Sequence, residues 1–399
     1  MITVDKASKI IENHRINLKT KIVSIQNSLN YILAENIYAD RDYPPFNRAT
    51  MDGYALSFEN FKKNENSLWN SIDTIFAGEQ KNVLLKNNEC IKIMTGAPIP
   101  DSANLVIKVE DSVYKNNSIF FKNPSVKKWM NISRKGEDIK KNNQLLEKGT
   151  RIDHIAISIL ATIGKTNIKV YEPPKAAIIS TGSEIIDPFQ TPKPFQIRDS
   201  NSYSLKAFLN EYLIKPEFMI KVSDNKKEIK KNIKKGLKYD LLFISGGVSM
   251  GDKDFVPEIL ESLEVKKIFH KVKIKPGKPV WFGKYADKTL VFGMPGNPFS
   301  CQVIYKVLIE PLIRTSFSMP KQKPIKIPIA FSRRKKNNRD EFFPVKFSSS
   351  KFIKLLPVIN MGSGDIKAAK DSIGLAIQKA EKVELKENEC VDFIFWRTL

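Results

Sequence analysis

The chain has 399 residues, 42% hydrophobic and 10% aromatic, which supplies several buried cores and argues against long disorder. Its formal net charge of +23 makes the surface attractive to anions, but no zinc finger or RRM signature accompanies it, so nucleic-acid binding rests on charge alone. Three cysteines without CxxC spacing and three histidines without an HExxH pair argue against a disulfide framework and catalytic zinc. The lack of an apolar leader or an uncharged run of membrane-spanning length leads us to expect a soluble, cytoplasmic protein.

From about Asp5 to Ile32 apolar positions such as Ile10, Ile11, Ile22 and Ile25 recur at helical spacing and predict a helical entry. Between Pro44 and about Ile139, short β-like runs (Ala55-Leu56, Asp73 to Phe76, Leu105 to Ile107, Ser118 to Phe121) separated by Asn, Gly and Pro predict a small β-rich module. Asp153 is placed to cap a helix through Ile155, Ile157, Leu160 and Ile163 that ends at Gly164, with a strand following at Ile168 to Tyr171. Pro173-Pro174 marks a boundary.

Beyond it strands and amphipathic helices alternate. Strand Ala176 to Ser180, helix Ser202 to Tyr212, strand Phe218 to Val222, helix Lys226 to Leu237, strand Leu241 to Ser245, strand Thr289 to Phe292 and helix Phe299 to about Thr315 read as βαβ units with a parallel sheet. Lys226, Lys227, Lys230, Lys231, Lys234 and Lys235 recur on the outer side of one of these helices and are read as a solvated face. After Pro320, strand-like segments Ile325 to Phe331, Phe342 to Phe347, Gly374 to Ile377 and Val391 to Trp396 predict a separate small β domain. The expected fold class is multidomain α/β plus β: a three-layer α/β/α domain, β-rich amino-terminal modules and a small carboxy-terminal β domain.

Three loops follow predicted parallel strands and fall at one carboxyl edge, where α/β proteins bind ligands. They are Ser180-Thr181-Gly182-Ser183-Glu184, the Ser245 to Gly251 loop (Gly246, Gly247, Ser249 and Gly251), and Met294-Pro295-Gly296-Asn297-Pro298. Glycines let the backbone approach an anion, and the helix behind each loop adds its positive end, so the loops suit a phosphate. Alternating Lys271, Lys273 and Lys275, followed by Pro276-Gly277-Lys278-Pro279, could neutralise a pyrophosphate or an oxyanion; a solvated strand edge would explain them equally well. Glu184, Asp252 and Asp254 lie in or beside the loops, where carboxylates hold a divalent cation or accept protons. Helix capping is the alternative for Asp252, and an exposed helix start for Glu184.

Nearly the whole chain resembles the MoeA family of molybdopterin molybdenumtransferases, which includes the E domain of gephyrin. The resemblance runs in family order through Pro44 to Ala55 (PPFNRATMDGYA), Ile93 to Pro100 (IMTGAPIP), Gly136-Glu137-Asp138-Ile139, the loops at Ser180 and Ser245 (the latter to Asp254), Lys275 to Pro279 (KPGKP) and Pro295-Gly296-Asn297-Pro298. It implies an elongated homodimer of four-domain subunits, which we delimit as 1–43 with 140–172, 44–139, 173–320 and 321–399. It also implies cleavage of adenylylated molybdopterin to release AMP in a divalent-metal-dependent step, with magnesium as the expected cofactor, and insertion of molybdate at the dithiolene sulfurs. A molybdopterin adenylyltransferase and molybdoenzyme acceptors are the partners it suggests.

By the same resemblance Asp52, Thr95 and Asp138 match functional residues of the amino-terminal part. Glu184, Asp224, Asp254, Lys271 and Lys275 match those of the α/β domain, with Glu184 and Asp254 expected at the metal, and Ser363 matches a residue near the oxyanion site. Lys278 and the loop residues are expected at the substrate. The sequence departs from the family at Arg339-Asp340-Glu341-Phe342-Phe343-Pro344, where Pro344 replaces the second arginine of an Arg-x-Glu-Phe-x-Arg pattern. One molybdate contact is therefore expected to be missing unless Arg339 or a nearby lysine compensates. A molybdopterin adenylyltransferase, a non-catalytic scaffold and a nucleic-acid binder are the alternatives. The extra domains argue against the first, and the full acidic and basic set against the second.

Overall fold

The computed structural model describes residues 1–122, 125–248, 254–349 and 352–397. They group into two compact units, one made of Met1–Glu35, Lys148–Ile157 and Thr166–Leu399, the other of Asn36–Glu147 and Ser158–Lys165.

Helix α1 (Val4–Asn13) is capped by the Thr3 hydroxyl, which accepts from the Lys6 N–H at 3.3 Å, and it buries Val4, Ala7 and Ile11. The helical reading to Ile32 does not hold: the helix stops at Asn13, and Thr20–Ser24 pairs antiparallel with Asn167–Tyr171. The β-branched pair Ile22-Val23 favours a strand, and Ile22 is 71% exposed, so it belongs to no buried helix face.

In the second unit, β1 (Gly53–Leu56), β2 (Asn70–Ile75), β3 (Glu89–Ile93) and β4 (Leu105–Lys108) form a sheet in the order β2-β3-β1-β4. Successive residues alternate between its faces. Ala55, Ile91, Ile93 and Val106 join one core, while Tyr54, Leu56, Cys90, Leu105 and Ile107 join Phe61, Trp69 and Phe121 in another. Helix α2 (His154–Thr162) follows in the chain, its residues to Ile157 grouping with the larger unit, and Asp153 Oδ1 accepts from the Ala156 N–H at 2.8 Å as its cap.

The larger unit is organised around β5 (Ala176–Thr181), α3 (Ser200–Asn210), β6 (Pro216–Val222), α4 (Lys226–Gly236), β7 (Leu241–Ser245), α5 (Val256–Ser262), β8 (Lys266–His270), β9 (Trp281–Tyr285), β10 (Thr289–Met294) and α6 (Pro298–Ile304). Helix α6 runs on through a π-helical turn at Tyr305–Ile309 into Glu310–Ser316. The sheet order is β6-β5-β7-β10-β9-β8; β6, β5, β7 and β10 are parallel, and β9 and β8 add an antiparallel edge that the sequence reading did not anticipate.

Strands covered on both faces must be apolar throughout, and β5, β7 and β10 are buried at every position. Ile178, Phe243 and Phe292 face α1, α3 and α6, whereas Ile179, Ile244 and Val291 face Ile229 and Ile233 of α4 and Ile259 and Leu260 of α5. This is the expected three-layer α/β/α sandwich. The six lysines singled out on α4 are all exposed, opposite its buried Ile229, Asn232, Ile233 and Gly236.

After Pro320, β11 (Ile325–Pro328), β12 (Asp340–Phe347), β13 (Gly374–Gln378) and β14 (Cys390–Phe395) form a β sheet that groups with the larger unit. The segment Ile274–Lys275 joins it as a parallel partner of β12, with Ile274 opposite Asp340 and Lys275 opposite Glu341. Among the described residues no helix is long and apolar enough to cross a membrane.

Candidate active site

Strand β5 has β6 on one side and β7 on the other, so the connections leaving the sheet around β5 run in opposite directions and open a crevice at the strand ends. All three predicted loops meet there. Thr181, Gly182 and Glu184, then Gly246 and Gly247, then Pro295, Gly296, Asn297 and Pro298 line one cavity of about 840 Å³. Gly246 has φ +91°, and a Cβ on it would lie 2.5 Å from the Thr181 carbonyl oxygen, so only glycine lets these two loops approach.

Asn201 ties the second loop to the third: its side-chain amide donates to Ser245 Oγ (2.9 Å) and to the Gly296 carbonyl (2.7 Å). Buried Cys301, its thiol pushed up to about 12 by burial, donates to the Pro295 carbonyl and stays inert. His270 Nε2 lies 3.0 Å from the Val248 carbonyl. Asn201 and Arg198, which lines the cavity at the start of α3, escaped the sequence reading; the run Arg198-Asp199-Ser200-Asn201 before a helix was the available signal. Ser249, Gly251 and Asp252 lie outside the described residues.

Among the described residues four carboxylates line this cavity: Glu184, Asp199, Asp224 and Asp254, of which Asp199 is the cap of α3, accepting from the Ser202 N–H at 3.0 Å. Asp224 is held in a reciprocal pair, its Oδ2 accepting from the Ser183 N–H (3.1 Å) while its own N–H donates to Ser183 Oγ (3.2 Å). The Glu184 oxygens fold back over Gly182, 2.9 and 3.0 Å from where a Cβ would stand. Among the described residues no group of three His, Cys, Asp or Glu could hold a metal ion unaided. The donors are hard oxygens, too few to complete a shell without ligand phosphates and water. Hard oxygen donors of this kind suit a hard divalent cation that also binds phosphates and water.

A second cavity of about 580 Å³ adjoins the first and shares Pro279, Pro295 and Asn297 with it. Among the described residues Lys275, Lys278, Arg333 and Arg339 line it, against the single carboxylate of Glu341. Glu341 is buried and accepts from Lys275 Nζ (2.9 Å) at one oxygen and Arg333 Nη2 (2.7 Å) at the other. Burial pushes its carboxyl up, but the Lys275 ammonium, the Asn337 amide and the Arg333 charge outweigh that and hold it below the usual carboxylate range. Ser363 also lines this cavity, and its Oγ accepts from the Asn297 side chain at 2.7 Å, so one hydrogen bond spans the boundary of the two cavities.

Lys275 and Lys278 thus lie on the second cavity, and Lys271 lines neither. Val272 and Ile274 are buried between the lysines, as alternation requires, but Lys271 has φ +71°, which turns the backbone out of the extended run assumed for it. In the other unit Asp52 Oδ1 accepts from both the N–H and the hydroxyl of Thr95, each at 2.7 Å, and these bonds lower its carboxyl. Asp138 is exposed in that unit, with its N–H donating to the Tyr43 carbonyl at 3.1 Å.

Fold and cavities together define an α/β protein that presents phosphate-type loops and an adjoining cationic pocket. Residues 2–164 match the family model for the MoeA N-terminal region (domain I and II), and residues 177–315 match that for a probable molybdopterin binding domain. The chain is 32% identical to a molybdopterin molybdenumtransferase of Synechocystis sp. over 402 residues, covering 99% of this chain and 100% of that one. A molybdopterin molybdenumtransferase of Staphylococcus epidermidis is 35% identical over 316 residues, 78% of this chain and 75% of that one. The crystal structure of the molybdopterin biosynthesis MoeA protein from Pyrococcus horikosii superposes with a TM-score of 0.81 at 30% identity, covering 100% of both chains. The chain belongs to the molybdopterin molybdenumtransferase (MoeA) family.

Because the Glu341 carboxyl is depressed in the folded protein, its pairing stabilises fully above the unfolded carboxylate value of about 4.3 and is lost as pH falls through the lower folded value. Glu341→Gln should cost about 1–3 kcal/mol at neutral pH and flatten the acid side of the stability profile. Urea midpoints between neutral and acid pH measure this, and a variant whose profile parallels the native one would refute the assignment.

Proposed function

We propose that this chain cleaves the pyrophosphate bond of adenylylated molybdopterin, releases AMP and inserts molybdate at the dithiolene sulfurs. The observation that carries the reading is the pair of adjoining cavities, one built for a phosphate with carboxylates on its wall, the other carrying an excess of cations. Family membership supplies the pterin chemistry.

The glycine loops hold the phosphates through backbone N–H groups, and Arg198 stands at the same wall to offset their charge. Hydrolysis breaks one P–O bond of the P–O–P bridge; water supplies the oxygen, and its proton passes to a wall carboxylate or to solvent. Glu184 and Asp254 would hold a magnesium ion, which when bound offsets charge on the phosphates and on the leaving AMP. Asp224, fixed against Ser183, keeps the first loop in place. Molybdate belongs in the second cavity, where Lys275, Lys278 and Arg339 attract a dianion and Ser363 offers a hydroxyl; as two Mo–S bonds form, one molybdate oxygen leaves as water with the two dithiolene thiol protons. Lys275 therefore serves the oxyanion side. A cytoplasmic location accords with three free cysteines. An adenylyltransferase would supply the substrate, and molybdoenzymes would take the product.

Removing one wall carboxylate should impair cleavage more than binding. Glu184→Gln and Asp254→Asn should retain adenylylated molybdopterin yet release AMP at least about tenfold more slowly, roughly 1.4 kcal/mol of barrier. Native rates in both variants, or cleavage that persists in chelator, would remove the metal assignment and favour a scaffold.

We further infer a homodimer, because Asp52, Thr95 and Asp138, which match functional residues of the family, sit in the unit that does not carry the loops. Light scattering should give twice the chain mass. A monomer that stays fully active on dilution would contradict it.

A further inference from the structure

Pro344 lines the cationic cavity and presents no side-chain donor to it. Its backbone is committed to the sheet, opposite Leu375 in β13, with its carbonyl accepting from the Val358 N–H at 3.0 Å. A guanidinium nevertheless reaches the cavity from elsewhere. Arg333 sits on a short strand that pairs with Glu384–Leu385, and its side chain crosses onto the face of Phe343, Cζ lying 4.0 Å from the ring centroid. Its Nη2 is fixed by Glu341 Oε2 at 2.7 Å.

The other terminal nitrogen, Arg333 Nη1, is buried and has no hydrogen-bond partner among the described residues. A buried guanidinium N–H without an acceptor carries an unrecovered desolvation cost, which an oxyanion oxygen reaching it would offset. Arg333 is one of the four cationic side chains that, with one carboxylate among the described residues, line this cavity. Glu341 is shared between Lys275 and Arg333, so one acid positions two cations and still leaves positive charge in excess.

We propose that Arg333 is the anion-recognising guanidinium of this cavity, standing in for the arginine absent at Pro344, and that its ligand is a tetrahedral dianionic oxyanion. The proposal rests on the reading of this cavity as the molybdate side. It replaces the earlier expectation that Arg339 or a neighbouring lysine compensates: Arg339 Nη1 is turned to the Ile274 carbonyl at 3.5 Å, and a lysine offers a point charge where a planar fork is needed. Glu341 acts as a positioning residue.

The test is molybdate binding to the full chain by isothermal titration calorimetry, without pterin, so that the readout is independent of turnover. Arg333→Gln should weaken molybdate at least about tenfold, and Pro344→Arg alone should change it by less than about threefold. The double variant Arg333→Gln/Pro344→Arg should recover to within about threefold of the native affinity, because a guanidinium returns to the same cavity. Thermal melts check folding. If Arg333→Gln does not fold, Arg333→Lys, which keeps the charge facing Glu341, must still lose at least about threefold. Native affinity in a folded Arg333→Gln or in Arg333→Lys, with the loss appearing instead in Arg339→Gln, overturns the role of Arg333 and leaves the cavity reading standing. No molybdate binding by the native chain overturns the cavity reading and Arg333 with it.

Discussion

The arrangement of the larger unit depends on where β5 sits in its sheet. With parallel neighbours on both sides, the chain must leave β5 towards β6 and later return past it to β7, and the loops at those strand ends cannot cover one another. The crevice that results is closed down by contacts only particular residues allow: glycine at 246 against the Thr181 carbonyl, and the buried Asn201 amide shared by Ser245 and Gly296. Backbone donors are thereby held beside a helix amino terminus before any ligand arrives, and the entropy of ordering them is met by folding rather than by binding.

A second constraint places the cationic cavity against the first. The short parallel pairing of Ile274–Lys275 with β12 docks the carboxy-terminal β sheet beside the α/β sheet and sets Lys275 opposite Glu341. The buried acid then holds cations from two parts of the chain, while Asn297 and Ser363 join the third loop to the carboxy-terminal part of the chain. The chemistry we assign divides along this seam, with phosphates on the glycine loops and the oxyanion on the cationic side. Neither cavity alone would serve a reaction that exchanges a nucleotide for a metal oxyanion.

Much of this was legible in the sequence, for physical reasons. Strands buried on both faces read as unbroken apolar runs, and helices with one buried stripe read by their spacing, so β5, β7, β10 and α4 were placed to within a residue or two. The three loops were legible because glycine and proline sit where a strand must turn. The antiparallel edge was not: β8 opens with Lys266 and Lys267, exposed edge lysines that mask a strand, and Ile22 mimics a helical period it does not obey. Arg333 lay outside every motif. Its part in the cavity depends on Glu341 and Phe343 being brought to it by β12, and no local spacing encodes that. The backbone at Lys271 was read as extended, but it turns left-handed there, which no local spacing signals.

The chemistry assigned to the two cavities requires that they be coupled. Incubating the protein with adenylylated molybdopterin, magnesium and molybdate, then measuring AMP released and molybdenum retained in the same sample, tests it most directly. Equal amounts of both, rising together as molybdate is raised, are the expected result. AMP release with no molybdenum retained at saturating molybdate, or no AMP release at all, would contradict it.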